Sequence, residues 1–264
     1  MSIERLNLAS SESSDILTNE HLLRYELARQ FSDNKIILDL ACGSGYGSNI
    51  LAEKAKQVIG VDIDSEAIKE ARTKYLHSNL SFEVVSALRL GLDSNSVDLI
   101  VSLETVEHFE QKDQIKFLQE LKRVLKPDGL LIMSTPNSLA SKHRNPWHLK
   151  ELNEKEFISL LIQEFKHIQV LYQGTAMASV ISNRETPAVD SLKANISSHI
   201  KPKYFIALAS NTHLTRFIGE RSLDLASLNG LAWQRKENNL GYRLMDWCYY
   251  RLSSCSKRLK KLKK

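Results

Sequence analysis

Ile36-Ile37-Leu38-Asp39-Leu40-Ala41-Cys42-Gly43-Ser44-Gly45-Tyr46-Gly47-Ser48 is the stretch on which the reading of this chain turns. Its first half is a short apolar run with β-branched residues, which reads as a buried strand. Three glycines at alternate positions follow, and a helical pattern begins at Asn49. Strand, glycine-rich turn and helix together form the opening unit of a nucleotide-binding α/β sheet. The glycines allow a sharp turn and close approach to a ligand at a helix N-terminus. A second apolar strand, Val58-Ile59-Gly60-Val61, ends in Asp62. A carboxylate at that place is positioned to accept hydrogen bonds from two ribose hydroxyls.

The glycine spacing departs from the dinucleotide pattern G-x-G-x-x-G, and Asp39 stands at the end of the first strand. Asp39-Leu40-Ala41-Cys42-Gly43-Ser44-Gly45-Tyr46-Gly47 resembles the first motif of class I S-adenosylmethionine (SAM) methyltransferases. That resemblance implies a Rossmann-like, doubly wound α/β fold with a seven-stranded sheet, mostly parallel, its last strand reversed. The loop would wrap the methionine part of SAM, and Asp62 would hold the ribose. Asp39, a carboxylate, suits the cationic sulfonium and ammonium of SAM better than it suits a pyrophosphate. The implied cofactor contacts are Arg24, Tyr25, Asp39, Ala41, Gly43, Ser44, Gly45, Asp62, Ile63, Ser86, Ala87, Ser102 and Leu103. Family members commonly place an Asp-Ala pair after strand three; Ser86-Ala87 stands there instead, so adenine recognition would rest on weaker contacts.

A length of 264 residues suits one α/β domain plus an appendage. The expected division is a loose, polar lead-in over 1–18, a methyltransferase domain over 19–210, and a helical C-terminal extension with a basic tail over 211–264. The formal charge of +5 does not mark a nucleic-acid binder. Six basic residues, Lys257, Arg258, Lys260, Lys261, Lys263 and Lys264, crowd the last eight positions, and the remainder holds 30 basic and 31 acidic residues. Phosphate binding needs a basic groove, so no nucleic-acid partner is expected. Cysteines 42, 248 and 255 show neither a paired framework nor metal spacing, which fits a reducing cytoplasm. A polar N-terminus and the lack of a long apolar run agree with a cytoplasmic protein.

Within the domain the sequence predicts a helix over 19–31, then strand one at 36–40. Strand three is expected at Leu80–Val85, strand four at Val97–Ser102, a helix over 111–125, and strand five at Leu130–Ser134 after a Lys126-Pro127-Asp128-Gly129 turn. Asn153 with Glu156 three residues on is a capping-box signature. Strand six reads at Phe165–Tyr172 and strand seven at Lys203–Ala209. The connection between them is too long for a bare hairpin, and the methyltransferase resemblance implies a substrate-covering insertion there. Met245, Cys248, Leu252, Cys255, Leu259 and Leu262 form a short heptad seam. It is open to three readings: packing on the domain, self-pairing into a homo-oligomer, or peripheral contact of a basic amphipathic helix with a membrane or partner.

The chemistry is expected just past strand four. Glu104, Glu107 and His108 are spaced to share one face of a helical turn, and His148 lies on the loop after the neighbouring strand five. Two carboxylates and two imidazoles admit a metal-free general base (His108 or His148), a hard divalent ion such as magnesium or manganese, or neither. The set resembles the Glu-x-x-Glu-His and later His of metal-assisted 2′-O-methyltransferases of small RNA, and ubiquinone-pathway O-methyltransferases carry a similar Glu-His. His21-Leu22-Leu23-Arg24-Tyr25 and Asn145-Pro146-Trp147-His148 resemble segments of sugar- and glycan-modifying methyltransferases. That implies Arg24 on the SAM carboxylate, Tyr25 over the methionine chain, and a small-molecule or glycan hydroxyl as acceptor. A solvated arginine and a core tyrosine are the plainer reading of the same pair. A quinone or small-acid acceptor, an RNA methyltransferase and a SAM-binding protein without turnover are the alternatives.

Overall fold

Strand β1 (Ile36–Leu40) lies near the middle of a seven-stranded sheet whose order is β3-β2-β1-β4-β5-β7-β6. The other strands are β2 (Gln57–Asp62), β3 (Leu80–Val84), β4 (Val97–Leu103), β5 (Leu125–Pro136), β6 (His167–Gln173) and β7 (Tyr204–Ser210). Neighbours from β3 through β5 pair in parallel, and β7 runs antiparallel to both β5 and β6. The expected doubly wound α/β sheet with a reversed last strand is therefore present. The computed structural model describes residues 14–140, 145–175, 202–212 and 214, with side chains from residue 17 onward. The expected C-terminal extension and basic tail, the first thirteen residues and nearly all of the β6–β7 insertion lie outside the described residues.

Alternation along β1 decides what each face holds. Leu38 and Leu40 join the large core with Ile100, Leu131, Met133 and Phe205 of the sheet. Helices α4 (Gln111–Val124) and α5 (Glu154–Leu161) cover that face through Phe117, Leu121 and Phe157. Asp39 points the other way, toward helices α1 (Ser14–Arg29) and α2 (Tyr46–Ala52). Helix α3 (Ser65–Lys74) packs Ile68 and Ala71 against Phe82 of β3 and Cys42. Its N-cap is Asp64, whose carboxylate accepts from the backbone N–H of Glu66 and Ala67.

Three boundaries differ from the sequence reading. Helix α1 starts at Ser14, inside the expected lead-in. Helix α2 begins at Tyr46 rather than Asn49, with Gly45 at the N-cap in the left-handed region at φ 81°. The Lys126–Gly129 stretch is not a turn before β5 but a bulge within it: Val97 pairs with Leu125, and Leu99 already with Leu130. Pro127 is tolerated there because a bulge frees it from donating to the ladder. The capping box is formed as expected, Asn153 accepting from the Glu156 N–H at 3.1 Å and Glu156 from the Asn153 N–H at 2.9 Å. Among the described residues no helix is long and apolar enough to cross a membrane.

Candidate active site at the carboxyl edge of the sheet

The strand order reverses between β1 and β4, and the crevice above their carboxyl ends is where doubly wound sheets receive ligands. On the β1–β2 side the glycine loop is braced by Asp62. Its Oδ2 accepts from the Gly43 N–H and its Oδ1 from the Asp64 N–H, each at 2.9 Å. Ala41 and Gly43 both take positive φ, 57° and 54°, which folds the chain back over the end of β1. Beyond Asp62 the side chain of Ile63 is 67% exposed. Ser86 is exposed and Ala87 half-buried on the segment after β3. Ser102 and Leu103 are buried at the end of β4, and the Ser102 hydroxyl has no partner.

Asp39 is fully buried beneath this loop. The Ser48 hydroxyl donates to it at 2.6 Å and the Tyr25 hydroxyl at 3.2 Å. It thus ties α1 and α2 to β1 from below, where the sequence reading had it facing the cofactor's positive charge. Tyr25 is indeed a core tyrosine, set edge-on to Tyr46. Arg24, one position earlier, is not solvated: it is 1% exposed and stands 4.5 Å over the Tyr204 ring. Its Nη1 donates to Gln173 Oε1 at 2.6 Å, while Nε and Nη2 are buried without a partner. Buried donors are costly to leave unmade, so two idle ones on a guanidinium suit an anion.

On the β4–β5 side the expected shared helical face does not form. Glu104 takes a left-handed backbone at φ 51°, and only Val106–His108 form a single 3-10 turn. Glu104 therefore turns to β5, where the Ser134 hydroxyl donates to its Oε1 at 2.6 Å. Glu107 goes elsewhere: it is fully buried, accepts from Thr135 Oγ1 at 3.2 Å, and leaves Oε1 without a partner. Its backbone carbonyl accepts from the N–H groups of Leu149 and Lys150, which brings the 145–150 loop onto the turn. One ligand atom from each of Glu107, His108 and His148 then lies within 4.8 Å of the others. Glu104 is not in that group.

Both imidazoles are oriented by acceptors. His148 Nδ1 is 2.6 Å from Glu151 Oε1, and His108 Nδ1 is 3.0 Å from the Trp147 carbonyl. Both partners are acceptors, so each Nδ1 carries a proton and donates it there. The side-chain amide of Asn145 faces His148 Nε2 at 3.1 Å, and its Oδ1 accepts from the Trp147 N–H. Glu151, Asn145, Ser134 and Thr135 were passed over in the sequence reading as holders of these groups. Glu151, at i+3 from His148, was the one with a local signal.

Burial raises the Asp39 carboxyl to about 7 in spite of the hydroxyls that bond it, and nearby Asp62 pushes the same way. Burial, with the Glu104 charge added, holds Glu107 well above the carboxylate range, and burial raises Glu104 too, opposed by Arg24. A carboxyl raised in the fold from its ordinary 3.8 contributes stability below that pH and loses it as pH climbs toward 7. Asp39→Asn should therefore gain on the parent as pH rises from 4 to 8, by on the order of 3 kcal/mol. Thermal melts across that range check it; a constant difference would mean that Asp39 is ionised throughout. Cys42, buried inside the loop, has its thiol pushed far up, which removes it as a nucleophile.

Comparison with known proteins points the same way as the glycine loop and the sheet. Residues 38–133 match the family described as "Methyltransferase domain". That segment carries the glycine loop, Asp62 and the β4 edge, and the relatives similar to it are named as SAM-dependent methyltransferases. A Mycobacterium tuberculosis protein named a probable S-adenosylmethionine-dependent methyltransferase is 41% identical over 133 residues, 48% of this chain and 46% of its own. A Mycolicibacterium smegmatis protein of the same description is 34% identical over 151 residues, 53% of this chain and 55% of its own. The ubiquinone biosynthesis O-methyltransferase of Haemophilus ducreyi is 31% identical over 110 residues, 39% and 46% of the two chains. The chain spans about half the length of the curated relatives it matches. A SAM-dependent methyltransferase from Archaeoglobus fulgidus has the same fold, with TM-score 0.56 at 20% identity over 74% of this chain and 93% of that one.

Proposed function

We propose that the protein transfers the methyl group of SAM to an oxygen of a sugar-containing metabolite or glycan. The observation that carries an oxygen acceptor is the group Glu107, His108 and His148 at the carboxyl edge, with its oriented imidazoles. Methyl transfer is an in-line displacement at carbon with a good leaving group, so the chain mainly aligns the partners. A hydroxyl acceptor must also lose a proton as the C–O bond forms. His148 Nε2 would take it once the Asn145 amide, 3.1 Å away, gives up its place to the acceptor hydroxyl, with Glu151 stabilising the imidazolium through Nδ1. Arg24 would bind the SAM carboxylate through Nε and Nη2, and Asp62 the ribose. Gly43, Ser44 and Gly45 would line the methionine chain, with Ile63, Ser86 and Ala87 beside the adenine.

A sugar is favoured by the Asn145–His148 segment and by Trp147, 41% exposed beside the imidazole whose Nδ1 it holds. An indole offers an apolar face to the C–H face of a sugar ring. The ubiquinone enzyme among the relatives supports a phenolic acceptor as the second reading. Glu107, His108 and His148 also suit a divalent metal ion. Each imidazole gives its Nδ1–H to an acceptor, as metal-bound histidines do, and Glu107 Oε1 is unpartnered. Magnesium or manganese held there would lower the pKa of a bound hydroxyl.

Calorimetry with SAM and S-adenosylhomocysteine, followed by methyl-labelled turnover on nucleotide sugars, oligosaccharides and catechols with EDTA or magnesium, tests all of this. Micromolar cofactor binding and label on a sugar oxygen are expected. Label on a catechol alone would transfer the assignment to the second reading, and no cofactor binding would end both. Loss of turnover in EDTA, restored by magnesium or manganese, is the result that a metal requires.

A further inference from the structure

The Arg24 guanidinium is held by residues far away in sequence, on the antiparallel edge of the sheet. Gln173, at the end of β6, is 7% exposed and uses both ends of its amide. Its Oε1 accepts from Arg24 Nη1 at 2.6 Å, and its Nε2 donates to the Glu20 backbone carbonyl at 3.0 Å, one turn earlier in α1. The Glu20 carboxylate, 4% exposed, accepts from Lys203 Nζ at 2.9 Å, from the Tyr204 hydroxyl at 2.9 Å and from the Thr175 hydroxyl at 2.5 Å. Tyr204 is also the ring beneath the Arg24 guanidinium. Helix α1 is thus fastened to the ends of β6 and β7 by one buried network. Its outcome is a guanidinium with one donor fixed and two left over. Half-buried Glu104 lies close enough for Arg24 to oppose the rise in its pKa. His21, pushed down to about 3 by burial and by Arg24 and Lys203, adds no charge of its own.

From this geometry we infer that Gln173 is a positioning residue for the cofactor, with Glu20 as its anchor. By fixing Nη1, Gln173 sets the plane of the guanidinium, so that Nε and Nη2 meet the carboxylate of SAM as a fork. Arginine carries large rotamer freedom, and a fork that is already oriented loses less of it on binding. Gln173 does this without touching the ligand. The inference rests on the SAM reading above and adds to it a residue some 150 positions from Arg24 that determines how the amino-acid end of the cofactor is gripped.

The test compares SAM with decarboxylated SAM, which keeps adenosine, sulfonium and amine but lacks the carboxylate. The parent protein should bind SAM more tightly by about tenfold or more, the value of charged hydrogen bonds. Gln173→Met, close in volume and without polar atoms, should weaken SAM about tenfold and leave decarboxylated SAM within about twofold. In an Arg24→Met background the same substitution should have no further effect on SAM, since residues that act through one group are not additive. Equal weakening of both ligands, or an undiminished effect in the Arg24→Met background, would falsify the positioning role and leave Gln173 a packing residue. A parent that binds both ligands alike would overturn the Arg24 site itself, and one that binds neither would overturn the SAM reading beneath it. If Gln173→Met does not fold, Gln173→Asn, whose amide falls one methylene short of Arg24, is read by the same comparison.

Discussion

Glu107→Gln should cut turnover by about a hundredfold to a thousandfold while SAM affinity changes less than about threefold. Glutamine keeps the volume of glutamate and can still accept from Thr135 Oγ1, so the buried turn need not repack. What is lost is the ability to take up or release a proton beside His108 and His148. If Glu107 only filled space, an isosteric amide would be almost silent. Its unpartnered Oε1 argues otherwise: a fully buried carboxylate oxygen with no hydrogen bond is costly unless a ligand, a proton or an ion completes it. His148→Ala should show the same split between turnover and binding, because it removes the imidazole that Glu151 orients. Single-turnover rates and calorimetry on each variant check both. Full activity in the two would take the cluster out of the chemistry and return Glu107 to the core.

How far the sequence reached depended on whether a contact is local. The glycine loop, Asp62 at the end of β2, and the Asn153 capping box are built from residues within about twenty positions of each other, and their spacing announced them. The mostly parallel sheet with its reversed last strand came with the resemblance of the glycine-loop motif, not from the alternation of elements. Glu104 was misplaced because helical spacing from Glu104 to His108 presupposes a helix; a left-handed residue at the end of β4 sends Glu104 to Ser134 and Glu107 to Thr135, two adjacent residues that face opposite sides of β5. Nothing in the spacing of charges reveals a positive φ. The fate of Arg24 was out of reach for another reason. Whether an arginine on a helix faces water or is buried against Gln173 and Tyr204 depends on strands that arrive long after it in the chain.

The glycines teach the same lesson in energetic form, and Gly47 gives the clearest test. The sequence reading treated it as one of three residues that let a ligand come near. In the structure a Cβ there would fall 1.9 Å from Cζ of Tyr25, the buried ring whose hydroxyl donates to Asp39. It is a helix residue, second in α2, and by propensity alone Gly47→Ala should stabilise by about 1 kcal/mol. Packing reverses the sign. The ring must leave its slot against Tyr46, releasing the Asp39 contact and opening a void, losses that for buried aromatics reach about 3 kcal/mol or more. A net cost near 2 kcal/mol lowers the melting temperature by roughly 4–8 °C in a domain of this size. Because Tyr25 adjoins Arg24 on α1, SAM affinity should fall with it. The decisive comparison is made in a Tyr25→Ala background, where the ring is already gone. There Gly47→Ala should turn from harmful to mildly stabilising, leaving only the helix term. A substitution that stayed equally harmful without the ring would place the constraint in the loop backbone, and the glycine would again be read as making room for a ligand.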